Sequence, residues 1–345
     1  RWTPGDSRVL FVSNDEIIFD QIFHANNKGY ISNRDYEYKK KEENTFRIVV
    51  FGDSFTAPYF SDRTWPDTLH SLLNSSGKRK FEVYNFGQSA SGIRNWHQIF
   101  FKEVVPNYQF DAVIIASWVE NLARSFKVRV MNQNASFSGS VDELPSTVES
   151  FKSTLFPKLR CSAIVSSDPA IDALIDKRYK NKKKWYLPPL GFHATHHIWG
   201  KLHLYRGPFF QNYYGNTKIV QRSGKKYSLH HVSNKYGSNY EKIEQMINYC
   251  IENEIPVILS SIPSKLGLSN FNKLGDTHLT VHQLELELIA DEFKIHYFDG
   301  YKPFRKISIN EIENKYWIKN NTHWNSKGSD LYAEKISAFL RDVLK

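Results

Sequence analysis

Short apolar runs and stretches of helical period alternate along most of this chain. Phe46-Arg47-Ile48-Val49-Val50-Phe51 is a β-branched and aromatic run with one interruption, and it stops at Gly52. A continuous run of this kind predicts a strand buried on both faces, as in a parallel sheet. Thr64 to Leu73 places Trp65, Leu69, Leu72 and Leu73 at helical spacing, and Phe81 to Phe86 alternates before Gly87, which predicts a helix and then a strand. Ile93 to Val105 predicts a helix ended by Pro106, and Ala112-Val113-Ile114-Ile115-Ala116 a third buried strand. Further on, Tyr240 to Glu252 predicts a helix and Pro256 to Leu259 a fourth strand. His278 to Phe293 predicts a helix, Lys294 to Phe298 a fifth strand, and Ser326 to Leu344 an amphipathic terminal helix.

Strands alternating with helices imply an α/β fold: a doubly wound, flavodoxin-like parallel sheet of five strands with helices on both faces and ligands at the carboxyl ends of the strands. The stretch 1–44 reads as a polar lead-in, 45–121 as the first part of the core and 240–345 as its second part. The interval 122–239 is too long for an ordinary loop and is expected to be an inserted cap with structure of its own. The length of 345 residues suits one large α/β domain with insertions, and 41% hydrophobic with 24% charged residues excludes wholesale disorder. No window approaches the run of about 20 apolar residues that a membrane-spanning helix needs. Two cysteines, Cys161 and Cys250, cannot build a disulfide framework or a four-cysteine zinc site, though one bridge between them is allowed. The net charge of +10 favours acidic partners without choosing among them.

The chemistry gathers where strands end. The first strand runs into Gly52-Asp53-Ser54-Phe55-Thr56, the second into Asn85-Phe86-Gly87, and the third into Ser117-Trp118-Val119-Glu120-Asn121, while Asn320-Asn321-Thr322-His323-Trp324-Asn325 precedes the last helix. A serine at a strand-to-helix turn, backbone amides, a side-chain amide and a histidine are the parts that acyl transfer needs: nucleophile, oxyanion donors and base. In these four blocks the chain resembles the SGNH (GDSL-like) hydrolase family, and more closely its subset linked to carbohydrate O-acetyl esters. The resemblance covers roughly 47–121 and 240–345. It implies Ser54 as nucleophile, His323 as general base, and an oxyanion hole made by the Ser54 amide, the Gly87 amide and the Asn121 side chain. The His323-Trp324-Asn325 context with Gly328 after it looks like members with polysaccharide-acetylation roles.

The chain departs from the family's pattern at two places. The third block lacks the usual Gly-x-Asn-Asp and has Val119-Glu120-Asn121-Leu122. The aspartate usually found two or three residues before the histidine is replaced by Asn321 and Asn320, which makes these two residues the candidates for orienting His323. A neutral amide cannot stabilise an imidazolium as a carboxylate does.

In the insert, a basic run ending in Lys182-Lys183-Lys184 leads into Trp185, and Trp199 follows among further aromatic residues; these five are candidate carbohydrate-binding residues. His193, His196 and His197 match no standard zinc spacing, so no metal is expected, and no other cofactor. The expected activity is that of a serine-dependent esterase or acyltransferase on O-acyl, chiefly O-acetyl, groups of a carbohydrate. The alternative is a catalytically degenerate domain of the same fold that binds polysaccharide. Expected partners are the carbohydrate or polysaccharide and, if the reaction is transfer, a membrane-bound acyl-donor protein. No zinc-finger or RNP-type motif points to nucleic acid. The resemblance implies an extracytoplasmic setting, periplasmic or cell-surface, with anchoring through an N-terminal segment ahead of Arg1.

Overall fold

The computed structural model describes residues 2, 4–13, 16–39, 42–58, 60–75, 79–124, 151–152, 160–166, 173, 216–221, 227–271, 278–318 and 321–344. In chain order, β1 (Gly5–Ser13) and β2 (Glu16–Ala25) form an antiparallel hairpin. They are followed by β3 (Thr45–Phe51), α1 (Trp65–Asn74), β4 (Lys80–Asn85), α2 (Ile93–Ile99) and β5 (Ala112–Ser117). Between 122 and 239 lie β6 (Phe151–Lys152), β7 (Arg160–Ser166), β8 (Ile219–Gln221) and α3 (Leu229–Tyr236). Then come α4 (Ser238–Glu252), β9 (Val257–Ser261), α5 (Lys265–Phe271) and β10 (His278–Thr280). The chain continues with α6 (Val281–Phe293), β11 (His296–Phe298) and α7 (Ser326–Val343).

Strands β3, β4, β5, β9 and β11 pair in parallel in the order β4-β3-β5-β9-β11. This is the doubly wound order that the strand rhythm implies. Every residue of β3, β5 and β9 is buried, which is why their sequences are continuous apolar runs. Alternate residues of each strand face opposite layers. Ile48, Val50, Ile114 and Ile258 pack with Leu69 and Leu73 of α1 and Ile336 and Leu340 of α7. Val49, Phe51, Val113 and Leu259 pack with Trp96 of α2, Ile243 and Ile247 of α4 and Ile289 of α6. Each such side chain contributes about 1.5–3 kcal/mol by leaving water.

Arg47, the interruption in the first run, has no exposed surface. Its guanidinium pairs with Glu82 at 2.7 Å and donates to the carbonyls of Tyr38, Lys39 and Gln109. A buried charge persists only when so satisfied, and here it ties the end of the first 44 residues to the sheet. Those residues are more than a lead-in: β1 pairs with β2 on one side and with β7 on the other, in an antiparallel sheet ordered β2-β1-β7-β6. Tyr30 and Tyr36 pack into the main core. Likewise Val232 and Tyr236 of α3, inside the stretch read as insert, belong to that core. The apolar and polar pattern of a strand marks the strand and not its partner, so the pairing of β1 with β7 is not shown by sequence.

Two helix boundaries also differ. The α2 helix continues through a π-helical turn at Phe100–Val104 and passes Pro106 to end at Asn107. Residues 278–280 form β10 against β8 and leave the helix, which starts one residue after the Thr280 cap. Cys250 is free and buried. Among the described residues no helix is long and apolar enough to cross a membrane.

Candidate active site

Ser54 follows β3 directly. Gly52 is required for space: a Cβ there would overlap Thr56 Oγ1. The turn is closed by Thr56 N–H and Ala57 N–H donating to Asp53 O at 3.0 and 2.9 Å, and by Phe55 N–H donating to Asp53 Oδ1 at 3.0 Å. Asp53 is fully buried, and Ser54 retains a small exposed surface of 9%. His323 arrives from the far end of the chain on a tight loop. That loop is closed by the Trp317–Trp324 bridge, by Ile318 N–H donating to His323 O at 3.0 Å, and by Trp317 Nε1–H donating to Thr322 O at 2.8 Å. Asn325 then caps α7, accepting from the amides of Lys327 and Gly328.

Ser54 Oγ lies 2.7 Å from His323 Nε2. The other ring nitrogen, Nδ1, lies 2.7 Å from Asn321 Oδ1, which also accepts the His323 backbone N–H at 3.0 Å. An atom that takes the backbone N–H is the amide oxygen, and an oxygen cannot donate to Nδ1. The proton therefore sits on Nδ1, and the Nε2 lone pair accepts from the Ser54 hydroxyl. The imidazole packs against the rings of Phe55 and Phe60, with centroids 4.7 and 4.5 Å away. Loss of water around the ring, and secondarily the nearby Arg124 cation, push its pKa down to about 3.

This has a measurable consequence. His323 accepts a proton only when neutral, so an activity that depends on it should keep its kcat/KM from pH 8 down to about pH 4. An acidic limb near pH 6.5, the value of an ordinary histidine, would show instead a solvated imidazole in the working enzyme.

No carboxylate among the described residues bonds His323. Asp299 accepts from Gln283, Tyr301 and Arg305, and Asp330 accepts from Arg63 and Thr68. Of the two orienting candidates, Asn321 is in place, and Asn320 lies outside the described residues, as do Lys182, Lys183, Lys184, Trp185 and Trp199.

The expected oxyanion donors need correction. Asn121 is fully buried, and its Nδ2 donates to Asp53 Oδ2 at 2.9 Å and to Ser91 O at 3.1 Å, so both amide hydrogens are engaged within the protein. Its Oδ1 accepts from Trp118 N–H. The Gly87 amide donates to Asn85 Oδ1 at 2.9 Å. Gly87 is not among the residues of positive φ; a Cβ there would fall 2.8 Å from Asn85 Oδ1 and 3.0 Å from Thr56 Cγ2, so space is what demands glycine. The Ser54 amide is the one expected donor with no acceptor among the described residues. Asn121 thus bridges the turns after β3, β4 and β5, bonding Asp53, Ser91 and the Trp118 amide.

Sequence reading also passed over Arg124, which reaches Asp53 and Ser91 from the same segment. The signal was present as the i, i+4 pair Glu120 and Arg124 on either side of Asn121.

No family model matches the sequence, and no curated protein matches it. Among solved structures, the chain is similar to a GDSL-like lipase from Bacteroides thetaiotaomicron at 14% identity and TM-score 0.39, covering 86% of this chain and 88% of that one. An acetyl-xylooligosaccharide esterase from Geobacillus aligns at 13% identity and TM-score 0.41, over 86% of this chain and 93% of that one. A lipase/acylhydrolase from Enterococcus faecalis aligns at 12% identity and TM-score 0.37, over 86% and 96%.

Proposed function

We propose that this chain is a serine-dependent esterase or acyltransferase acting on O-acyl groups, chiefly O-acetyl, of a carbohydrate. The observation that carries the reading is the 2.7 Å contact between Ser54 Oγ and the proton-accepting Nε2 of His323. In this reading Ser54 Oγ attacks the ester carbonyl while its proton passes to Nε2, and the Ser54 amide donates to the developing oxyanion. The tetrahedral intermediate collapses, the sugar alcohol leaves with the proton from Nε2, and acetyl-Ser54 remains. Water or a second hydroxyl, deprotonated by Nε2, then attacks the acyl group and restores the serine. Hydrolysis and transfer share every residue and differ only in the acceptor. The carbohydrate part rests on the sequence resemblance around His323-Trp324-Asn325.

The reading is tested by mixing the protein with p-nitrophenyl acetate, quenching in acid and mapping the adduct by mass spectrometry. A single acetyl group on the peptide carrying Ser54, absent from Ser54→Ala, is the expected result. Acetyl found only on lysines in both proteins would overturn it. A second reading, a polysaccharide-binding domain without turnover, is favoured by one observation: the group on His323 Nδ1 is the neutral Asn321 amide. It predicts no acyl-enzyme together with retained polysaccharide binding.

A further inference from the structure

The charged cluster beneath Ser54 has no part in the chemistry above. The Arg124 side chain is 10% exposed; its Nη1 lies 3.2 Å from Asp53 Oδ2 and 2.7 Å from Ser91 O. These are the same two acceptors that Asn121 Nδ2 uses. A second carboxyl, Glu120, is 2% exposed, has no hydrogen-bond partner for either oxygen, and lies 3.8 Å from Arg124 Nη2. Arg124 thus pairs with two buried acids, and its Nη1 sits at the joint where the turns after β3 and β4 meet.

We propose that Arg124 is a positioning residue for Ser54: as the counter-ion of buried Asp53, it locks the nucleophile turn to Asn121 and to the Ser91 carbonyl. The proposal rests on the esterase or acyltransferase reading and adds a residue to it.

The physical case has three parts. An ionised carboxylate with no exposed surface needs a cation or a full set of donors, and removal of its cation leaves an uncompensated charge. Asp53 Oδ1 holds the Phe55 amide, so any movement of Asp53 to find water moves Ser54 between them. Finally, the planar guanidinium serves Asp53 and Ser91 through Nη1 while Nη2 faces Glu120, a span that a single ammonium covers less well. The packing has no slack: a Cβ on Gly92 would fall 2.8 Å from Arg124 Cβ and 2.8 Å from Asn121 O. Burial holds the Glu120 carboxyl up at about 8, with Arg124 opposing and Asp53 reinforcing that rise. The same cation bears on His323 and disfavours its protonated form.

The test uses Arg124→Gln, Arg124→Lys, Asp53→Asn and the double variant Arg124→Gln with Asp53→Asn. The measurements are kcat and KM on an acetyl ester across pH, and the imidazole ¹⁵N titration of His323. Arg124→Gln is expected to lower kcat by about 10²-fold, the scale of a small misplacement of a reacting group, with KM little changed. Without the cation, His323 protonates more readily, so the acidic limb and the NMR midpoint both move to higher pH. Arg124→Lys keeps the charge and loses the fork: its midpoint should stay near wild type while kcat falls.

Because Arg124 acts through Asp53, the double variant should lose no more than the worse single one. A merely structural arginine would lower thermal stability, leave both pH readouts in place and give additive losses; that pattern overturns the proposal. So does wild-type kcat in Arg124→Lys, which remains available if Arg124→Gln does not fold. If the wild type shows no Ser54-dependent turnover, the esterase reading fails, and the His323 titration in Arg124→Lys and Arg124→Gln still decides whether Arg124 holds this site.

Discussion

Replacing Ser54 by Ala is expected to lower kcat on an acetyl ester by about 10⁴-fold or more, the scale on which loss of a serine nucleophile acts in serine proteases. The fold should be untouched. Ser54 keeps some exposed surface, and its hydroxyl makes its hydrogen bond to His323, so the substitution removes about 1 kcal/mol of hydrogen bonding and opens no large cavity. It leaves no stranded charge either, because His323 is neutral when its pKa is near 3. Turnover measured with a chromogenic acetyl ester, beside a thermal unfolding curve for each protein, separates the two effects. An unchanged rate in Ser54→Ala would assign ester cleavage to another group, and a collapsed unfolding transition would show that the serine holds the turn.

The second large effect is expected in the opposite direction. Asn321→Asp keeps an oxygen 2.7 Å from His323 Nδ1 and 3.0 Å from its backbone amide, and adds the negative charge that the amide lacks. In the transition state His323 becomes an imidazolium. In the natural chain that cation meets a neutral amide, the rings of Phe55 and Phe60 and the Arg124 guanidinium, none of which carries the negative charge that would balance it. A carboxylate in the same place should raise kcat by about 10²-fold; the larger loss in a protease triad that exchanges its Asp for Asn comes from the wrong imidazole tautomer, which Asn321 Oδ1 already prevents here.

The sign of the pH change follows from the same charge. A carboxylate favours the protonated imidazole and raises its pKa, so the acidic limb of kcat/KM moves up from its low starting point toward neutrality. A faster enzyme at pH 8 that loses activity earlier on acidification is therefore the expected profile. Equal rates and equal limbs in Asn321→Asp and wild type would show that Asn321 merely shapes the loop, and the charge that serves His323 would have to come with the substrate.

How far the sequence could be read varies with the range of the interaction. The three central strands β3, β5 and β9 were legible because each is buried on both faces and needs an apolar run, the edge strand β4 showed in its alternation, and Thr64 and Asn325 mark helix starts by the hydrogen bonds their side chains accept. The pairing of β1 with β7 was not legible. Antiparallel strands from distant segments carry no shared local signal, and Arg47, the residue that anchors the first segment, looks like a break in a strand until its carbonyl and carboxylate partners are seen.

Sequence alone determined which residues are available at the strand ends: a serine after β3, a glycine after β4, an asparagine after β5 and a histidine before α7. It also determined that an amide stands where an acid is usual, because these are facts of residue type and local order. Only the tertiary structure decided what each does. It brought Ser54 and His323, 269 positions apart, to 2.7 Å, and it chose Asn321 as the partner that sets the imidazole tautomer. It also turned Asn121 inward, because a buried Asp53 needs donors and Asn121 is one of the groups within reach. Hydrogen bonding and charge compensation act through space over about 3 Å, and chain order does not specify which groups will meet at that distance.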